Sequence, residues 1–405
     1  MKPHSNPNDF VAETDSRAIQ MAINDAIQSG SGKVIIPRLN QHSGKPVWEI
    51  TEPIFLPSNI HVVLDNCHLR LADGVFCNIF CNSNAYVDPA SEQENIAITG
   101  RGTAILDGGN HNGLTEKTSG KDGMPHIIYN TALLFCNVKH FTIENLHVHN
   151  QRWWGMTFLY SSIGRISNIT FFAQNSAPNQ DGIDLRVGCS QITIENINGQ
   201  TGDDTVALTA LSGQLESMFS IPDRDTGIHD IMIQNIQSYI SGGHNIVRLL
   251  NQDGNKLYNI MIDTVQDVSS GVRPRSAIII GDPGYASVRR AAEWELYGIT
   301  IQNIYSRAEY AVRIGGSLSN ACIRNIHLTD SCAAAIRIAD TTVSNLLIDG
   351  IFAHPGEPEN ALFVSERAKG RYVAVKNVFP NGRQITGLDD SVFDIEKQER
   401  ERSHT

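Results

Sequence analysis

Ile192-Thr193-Ile194-Glu195-Asn196-Ile197 is one copy of a phrase that this chain repeats. Apolar and polar residues alternate, and then an Asn precedes a further apolar residue. The phrase returns in full as Phe141-Thr142-Ile143-Glu144-Asn145-Leu146, Ile231-Met232-Ile233-Gln234-Asn235-Ile236 and Ile299-Thr300-Ile301-Gln302-Asn303-Ile304. Ile166-Ser167-Asn168-Ile169 and Ile323-Arg324-Asn325-Ile326 are shortened copies. Ile260–Val265 and Leu346–Ile351 keep the rhythm without the Asn. Asn145 and Asn168 are 23 residues apart, Asn303 and Asn325 are 22 apart, and other intervals stretch to 28 and 39. A base period with variable additions describes a coil of fixed circumference from which loops have been extruded. Period-two alternation makes each phrase a strand, and stacked coils place equivalent residues in columns ~4.8 Å apart. A column of Asn side chains can then hydrogen-bond along itself. The expected fold is all-β, a right-handed parallel β-helix. A sandwich would show hairpin turns at short intervals and an α/β chain would show amphipathic helices between its strands; neither recurs.

The one clear helical period lies before the repeats. Ile19, Ala22, Ile23, Ala26 and Ile27 follow one helix face, with Asp15 or Ser16 as the cap and Gly30 as the stop. A helix there is placed to plug the open first coil, where apolar core and unpaired strand edges would otherwise face water. Lys33–Pro37 and His61–Leu64 read as strands. The expected organisation is an arm and capping helix over 1–30, a single β-helix domain over 31–390 and a charged tail over 391–405.

Composition narrows the functional classes. The chain has 405 residues, 41% of them hydrophobic, only 7% aromatic, with 33 Gly, which suits many short strands and turns. The net charge of -11, without a Lys/Arg run longer than two, argues against nucleic acid and anionic membranes as partners. Seven scattered cysteines fit reduced core thiols, and the Cys77/Cys81 pair has no second pair with which to hold zinc. No apolar leader and no run of transmembrane length is visible, so a cytoplasmic protein is expected. No cofactor and no metal are expected, and the oligomeric state is left open.

Chemistry concentrates in two places. Asn179-Gln180-Asp181-Gly182-Ile183-Asp184 is followed, 22 residues after Asp181, by Gly202-Asp203-Asp204. A spacing of one bare coil stacks Asp203 on Asp181, while strand alternation aims Asp204 elsewhere unless the chain bends at Gly182 or Gly202. Three clustered carboxylates repel, so one holds a proton and serves as acid while a second orients water. An acid–base separation of ~6.5–9.5 Å would indicate inversion at the anomeric carbon. Each motif alone also reads as a turn, and the same acids suit calcium. His244 follows two glycines, a sign of close backbone approach, though a lone His is also an ordinary surface residue. Arg273 and Arg275, with Arg248 as a competing candidate, suit carboxylate or hydroxyl recognition and equally suit a solvated turn. Trp154 can stack on a sugar or simply pack. The loop 108–126, with Asp122 and His126, and the interruptions 209–229 and 282–297 are candidate walls of a cleft.

At these residues the chain resembles glycoside hydrolase family 28, the polygalacturonase family of β-helix enzymes. Asn179-Gln180-Asp181 resembles its Asn-Thr-Asp motif with Gln in place of Thr. Asp203-Asp204 matches its Asp-Asp motif, and Gly243-His244-Asn245 resembles its Gly-His-Gly motif. Arg273-Pro274-Arg275 is the counterpart of Arg-x-Lys; an alternative register sets Ile278-Ile279-Ile280 there and removes the basic pair. The resemblance implies an inverting hydrolase in which Asp203 is the general acid, Asp181 and Asp204 activate water, and His244 tunes the acid. It further implies basic residues on a uronate carboxylate, with Asn179 and Trp154 lining the substrate site. The expected substrate is a pectin-type oligosaccharide or polysaccharide, galacturonate-containing or related, cleaved in exo fashion. A uronate lyase and a non-catalytic carbohydrate-binding solenoid are the competing readings.

Overall fold

The structure is a computed structural model, and it describes residues 3–110, 127–174, 179–240, 243–270, 274–282, 289–329, 332–353, 360–379 and 384–386. Arg273, Asp122 and His126, named above as candidates, lie outside the described residues, as does the tail 391–405.

The repeated phrases form a parallel β-helix. A 15-stranded sheet runs through successive long strands and a 12-stranded sheet runs through the short strands between them. Every pairing between named strands is parallel; Ile143 pairs Ile166, which pairs Ile194, which pairs Ile233. This isoleucine column continues through Ile262, Ile301, Ile323 and Ile348, each fully buried. Full burial of such a side chain contributes about 1.5–3 kcal/mol, so the phrase that marks the coil in sequence also supplies its interior. The Asn column bends the long strands: Asn145, Asn168, Asn196 and Asn235 all have φ between 54° and 59°. Asn tolerates that left-handed conformation, and the side chains link coil to coil. Asn168 donates to Asn145 at 2.9 Å, Asn196 to Asn168 at 3.0 Å and Asn235 to Asn196 at 2.7 Å. Thr264 interrupts the ladder, and Asn303 turns instead to Asp263 at 2.8 Å.

The N-terminal helix spans Asp15–Gln28 and joins the same core through Ile19, Ala22, Ile23 and Ala26. Its cap is Thr14, whose hydroxyl accepts from the Arg17 amide at 3.2 Å, rather than Asp15 or Ser16. Those two side chains are used to tie the helix to the first coil, accepting from the amides of Glu49 and Thr51. Ile27, assigned above to the buried face, is exposed. All seven cysteines are free, and burial pushes the thiols of Cys67 and Cys77 up to about 12. Among the described residues no helix is long and apolar enough to cross a membrane.

The short-strand sheet carries the candidate site. Its residues alternate: Ile183, Leu185, Val247, Leu249, Ile278, Ile280, Val312 and Ile314 enter the core, so the residues between them face outward. The register makes one outward column of Asp184, Ala207, Arg248, Ile279, Arg313 and Arg337.

Candidate active site

The acids sit in the turns that lead into two short strands, Ile183–Leu185 and Val206–Ala210, and His244 leads into a third, Asn245–Asn251. The ladder pairs Ile183 with Val206, one residue more than the spacing of 22 used above, so Asp181 stacks on Asp204 and Asp203 falls opposite Gln180. The extra residue has a visible origin. The amides of Gly202 and Asp203 both donate to the Gln180 carbonyl, at 3.1 and 3.2 Å. Two residues thus face one, as in a β-bulge, and the strand turns sharply there. The bulge is what brings consecutive residues, Asp203 and Asp204, to the same spot. Gly202 leaves room for Gln180, since a Cβ at 202 would lie 2.9 Å from the Gln180 side chain and displace it. Position 182 must be Gly, since a Cβ would meet the Thr205 carbonyl at 2.4 Å.

Carboxylate oxygens of Asp181, Asp203 and Asp204 lie within 4.8 Å of one another. That is shorter than the ~6.5–9.5 Å window for inverting pairs, so spacing alone does not assign the stereochemistry. Asp181 and Asp204 are buried and Asp203 is half-buried. Burial, with the charges of Asp203, Asp184 and Asp204, holds Asp181 well above the usual carboxylate range. Burial and the adjacent Asp204 raise Asp203, while His244 and Arg248 pull it the other way. His244 is solvent-exposed on the next coil, with Nδ1 3.3 Å from Asp203. Arg248 is 3.0 Å from Asp204 and 4.0 Å from Asp181, so it serves the acids directly.

Several contributors escaped the sequence reading. Asn245, at the last position of the Gly-His-Gly-like motif, donates both its amide and Nδ2 to Asp204, each at 3.0 Å. Its own Oδ1 accepts from Ser276 at 2.7 Å. Gln151 and Gln180 exchange side chain-to-backbone hydrogen bonds, Gln151 donating also to the Asp181 carbonyl at 3.2 Å. Asp184 is fully buried beside the cluster, neither of its oxygens has a hydrogen-bond partner, and burial pushes it up to about 7. The only advance signal for these residues was the departure of Gln180 and Asn245 from the family motifs.

Other candidates fall elsewhere. Trp154 does not face a sugar: it is 1% exposed, with the Arg186 guanidinium stacked on its ring at 4.6 Å, and Arg186 is itself paired with Glu216. Asn179 holds the turn before Asp181 with φ 52° and is half-buried. Arg275 is exposed, one coil past His244, whose carbonyl accepts its amide at 2.8 Å. The ladder pairs Asn245 with Ser276, so Arg275 falls opposite His244, ahead of the strand in which Ile279 is the outward residue.

The sequence profile of "Glycosyl hydrolases family 28" matches residues 83–276. A probable polygalacturonase of Arabidopsis thaliana is 28% identical over 222 residues, covering 49% of this chain and 48% of that protein. The match therefore spans about half the length of this curated relative. Among solved structures, a hyperthermoactive exopolygalacturonase from Thermotoga maritima shares the fold with TM-score 0.59 and 16% identity, over 93% of this chain and 92% of that one. The A-module of a mannuronan C-5 epimerase of Azotobacter vinelandii does so with TM-score 0.59 and 15% identity, over 93% and 94%. Residues 83–276 thus resemble glycosyl hydrolases of family 28, and these central coils resemble polygalacturonase.

Proposed function

We propose that the protein is an inverting O-glycosyl hydrolase of pectin-type oligosaccharides, galacturonate-containing or related, acting in exo fashion without a metal. The observation that carries this is the meeting of Asp181, Asp203 and Asp204 within 4.8 Å, beside His244. Charges so close cannot all ionise cheaply, and the cluster retains a proton that Asp203, the most accessible of the three, delivers to the leaving oxygen. Asp204, held by Asn245 and Arg248, and Asp181, held through its backbone by Gln151, position the attacking water. His244, 3.3 Å from Asp203, tunes the protonation of the acid. Inversion rests on the family likeness. Exo cleavage rests on the long interruption 209–229, part of which is the helix Gln214–Met218, anchored by Glu216 on Arg186.

A metal-assisted uronate lyase draws on the same acids, whose oxygens are near enough to share a cation. Arg248 weighs against it, since a guanidinium already supplies positive charge between Asp181 and Asp204. The deciding experiment follows defined oligogalacturonates by NMR with wild-type protein and Asp203→Asn. Release of product with inverted anomeric configuration, insensitive to chelator and reduced by orders of magnitude in the variant, supports the proposal. Near-wild-type turnover in Asp203→Asn, or an unsaturated product absorbing in the ultraviolet, rejects it.

A further inference from the structure

The outward column does not end at Arg248. Two coils beyond Arg248 it presents Arg313, and the next coil presents Arg337 in register with it. Stacked coils are ~4.8 Å apart, so two guanidinium side chains rise from neighbouring rungs on a protein whose net charge is -11. Arg337 is held by Tyr310: Nη1 donates to the Tyr310 hydroxyl at 3.1 Å, and its guanidinium lies over that ring at 5.3 Å. Arg313 is different. It is only 7% exposed, yet Nε and Nη1 have no hydrogen-bond partner. A buried guanidinium with unmet donors is costly, and a bidentate oxyanion is what its planar fork fits. Its charged neighbours are Arg275, Arg337 and, on the acidic side, Asp282. Burial and the two arginines together pull Arg313 below its ordinary value, which an anion would reverse.

The family likeness assigns uronate recognition to a basic pair in the coil after His244; of that pair Arg275 falls opposite His244, while Ile279 takes the outward place beside Arg248. We propose that Arg313, flanked by Arg337 and Arg275, is a carboxylate-binding subsite, and that it selects oligosaccharides with a free uronate ring held three coils from Asp203 and Asp204. The ladder sets the scale: Arg313 is ~10 Å along the axis from Arg248, a separation that an oligosaccharide spans and a single sugar does not. Recognition of the acidic ring is thereby displaced from the bond being cleaved. This inference rests on the hydrolase reading above for its substrate.

The test uses trigalacturonate and its fully methyl-esterified form, titrated calorimetrically into the full chain carrying Asp203→Asn, alone and combined with Arg313→Gln or Arg313→Lys. The free acid should bind roughly tenfold or more tighter than the ester. Arg313→Gln should abolish that preference by weakening the acid alone, leaving the ester within about twofold, and Arg313→Lys should keep part of it. Equal affinity for acid and ester, binding of neither, or an Arg313→Gln protein that retains the preference overturns the subsite. Should Arg313→Gln lose its far-ultraviolet circular dichroism, Arg337→Gln is read in its place by the same criteria. Unchanged turnover in Asp203→Asn would instead remove the hydrolase reading, an outcome visible without any Arg313 variant.

Discussion

Replacing Asp184 by Asn should change how stability depends on pH. Asp184 is fully buried, neither oxygen has a hydrogen-bond partner, and the adjacent Arg186 is committed to Glu216. Burial raises its carboxyl from 3.8 to about 7. Between those values the unfolded chain has released the proton and the folded chain still holds it. Stability therefore falls as pH rises through this window and levels off above it, the reverse of a salt-bridged aspartate. A rise of about three pH units at 1.36 kcal/mol each amounts to roughly 4 kcal/mol. Asn is close in shape and does not titrate, so Asp184→Asn should lack this descent. Urea unfolding at pH 4.5, 6, 7.5 and 8.5, followed by circular dichroism with unchanged m-values, measures the difference. The variant should gain on the wild type by several kcal/mol between the lowest and highest pH. Parallel curves within about 1 kcal/mol would show that Asp184 is ionised throughout and that burial does not govern the site.

Three further outcomes follow from individual contacts. Asn245→Ala removes a hydrogen bond to the Asp204 carboxylate worth about 1.5–3 kcal/mol; kcat/KM on oligogalacturonate should drop roughly ten- to a hundredfold, and unchanged kinetics would dismiss the clamp. His244→Gln removes the charge that lowers Asp203, so the alkaline limb of the kcat/KM profile should move to higher pH; a limb that stays in place separates His244 from the acid. Glu216→Ala strands the buried Arg186 charge, at a cost of about 3–5 kcal/mol, and differential scanning calorimetry should register a clearly lower Tm than wild type.

The coil was legible because the residues that build it are periodic. Isoleucine faces the core at rung after rung and Asn turns the strand at most of them, so phrases such as Ile192–Ile197 announce stacking before any coordinates do. The acids were legible by type but not by register. A spacing of 22 pointed to Asp203 above Asp181, whereas the bulge at Gly202 adds a residue and puts Asp204 there. Bulges follow from local backbone hydrogen bonding, and a Gly-Asp-Asp tripeptide does not reveal which amides share a carbonyl. Arg313, Arg337 and Asp184 were invisible for another reason. Each is an isolated charged residue inside an apolar strand, and only the register from coil to coil aligns them with Arg248. Trp154 misled because an aromatic beside a sugar site and an aromatic beneath one look identical in sequence.

The departures from the family motifs bear on whether this solenoid cleaves or only binds. Gln180 stands where the family has Thr, and it fills the space over Gly202 while bonding the Gln151 backbone at 2.7 Å. Asn245 stands where the family has Gly, and it grips Asp204 through side chain and amide together. Both substitutions add hydrogen bonds to the turns that carry the acids. A site that had ceased to catalyse would be under no demand to hold three mutually repelling, buried carboxylates together, and relaxing them would gain stability. Here the repulsion is retained and the supports around it are multiplied. That combination is what a working acid–base centre requires: charge held where it is unfavourable, by neighbours that leave it nowhere else to go.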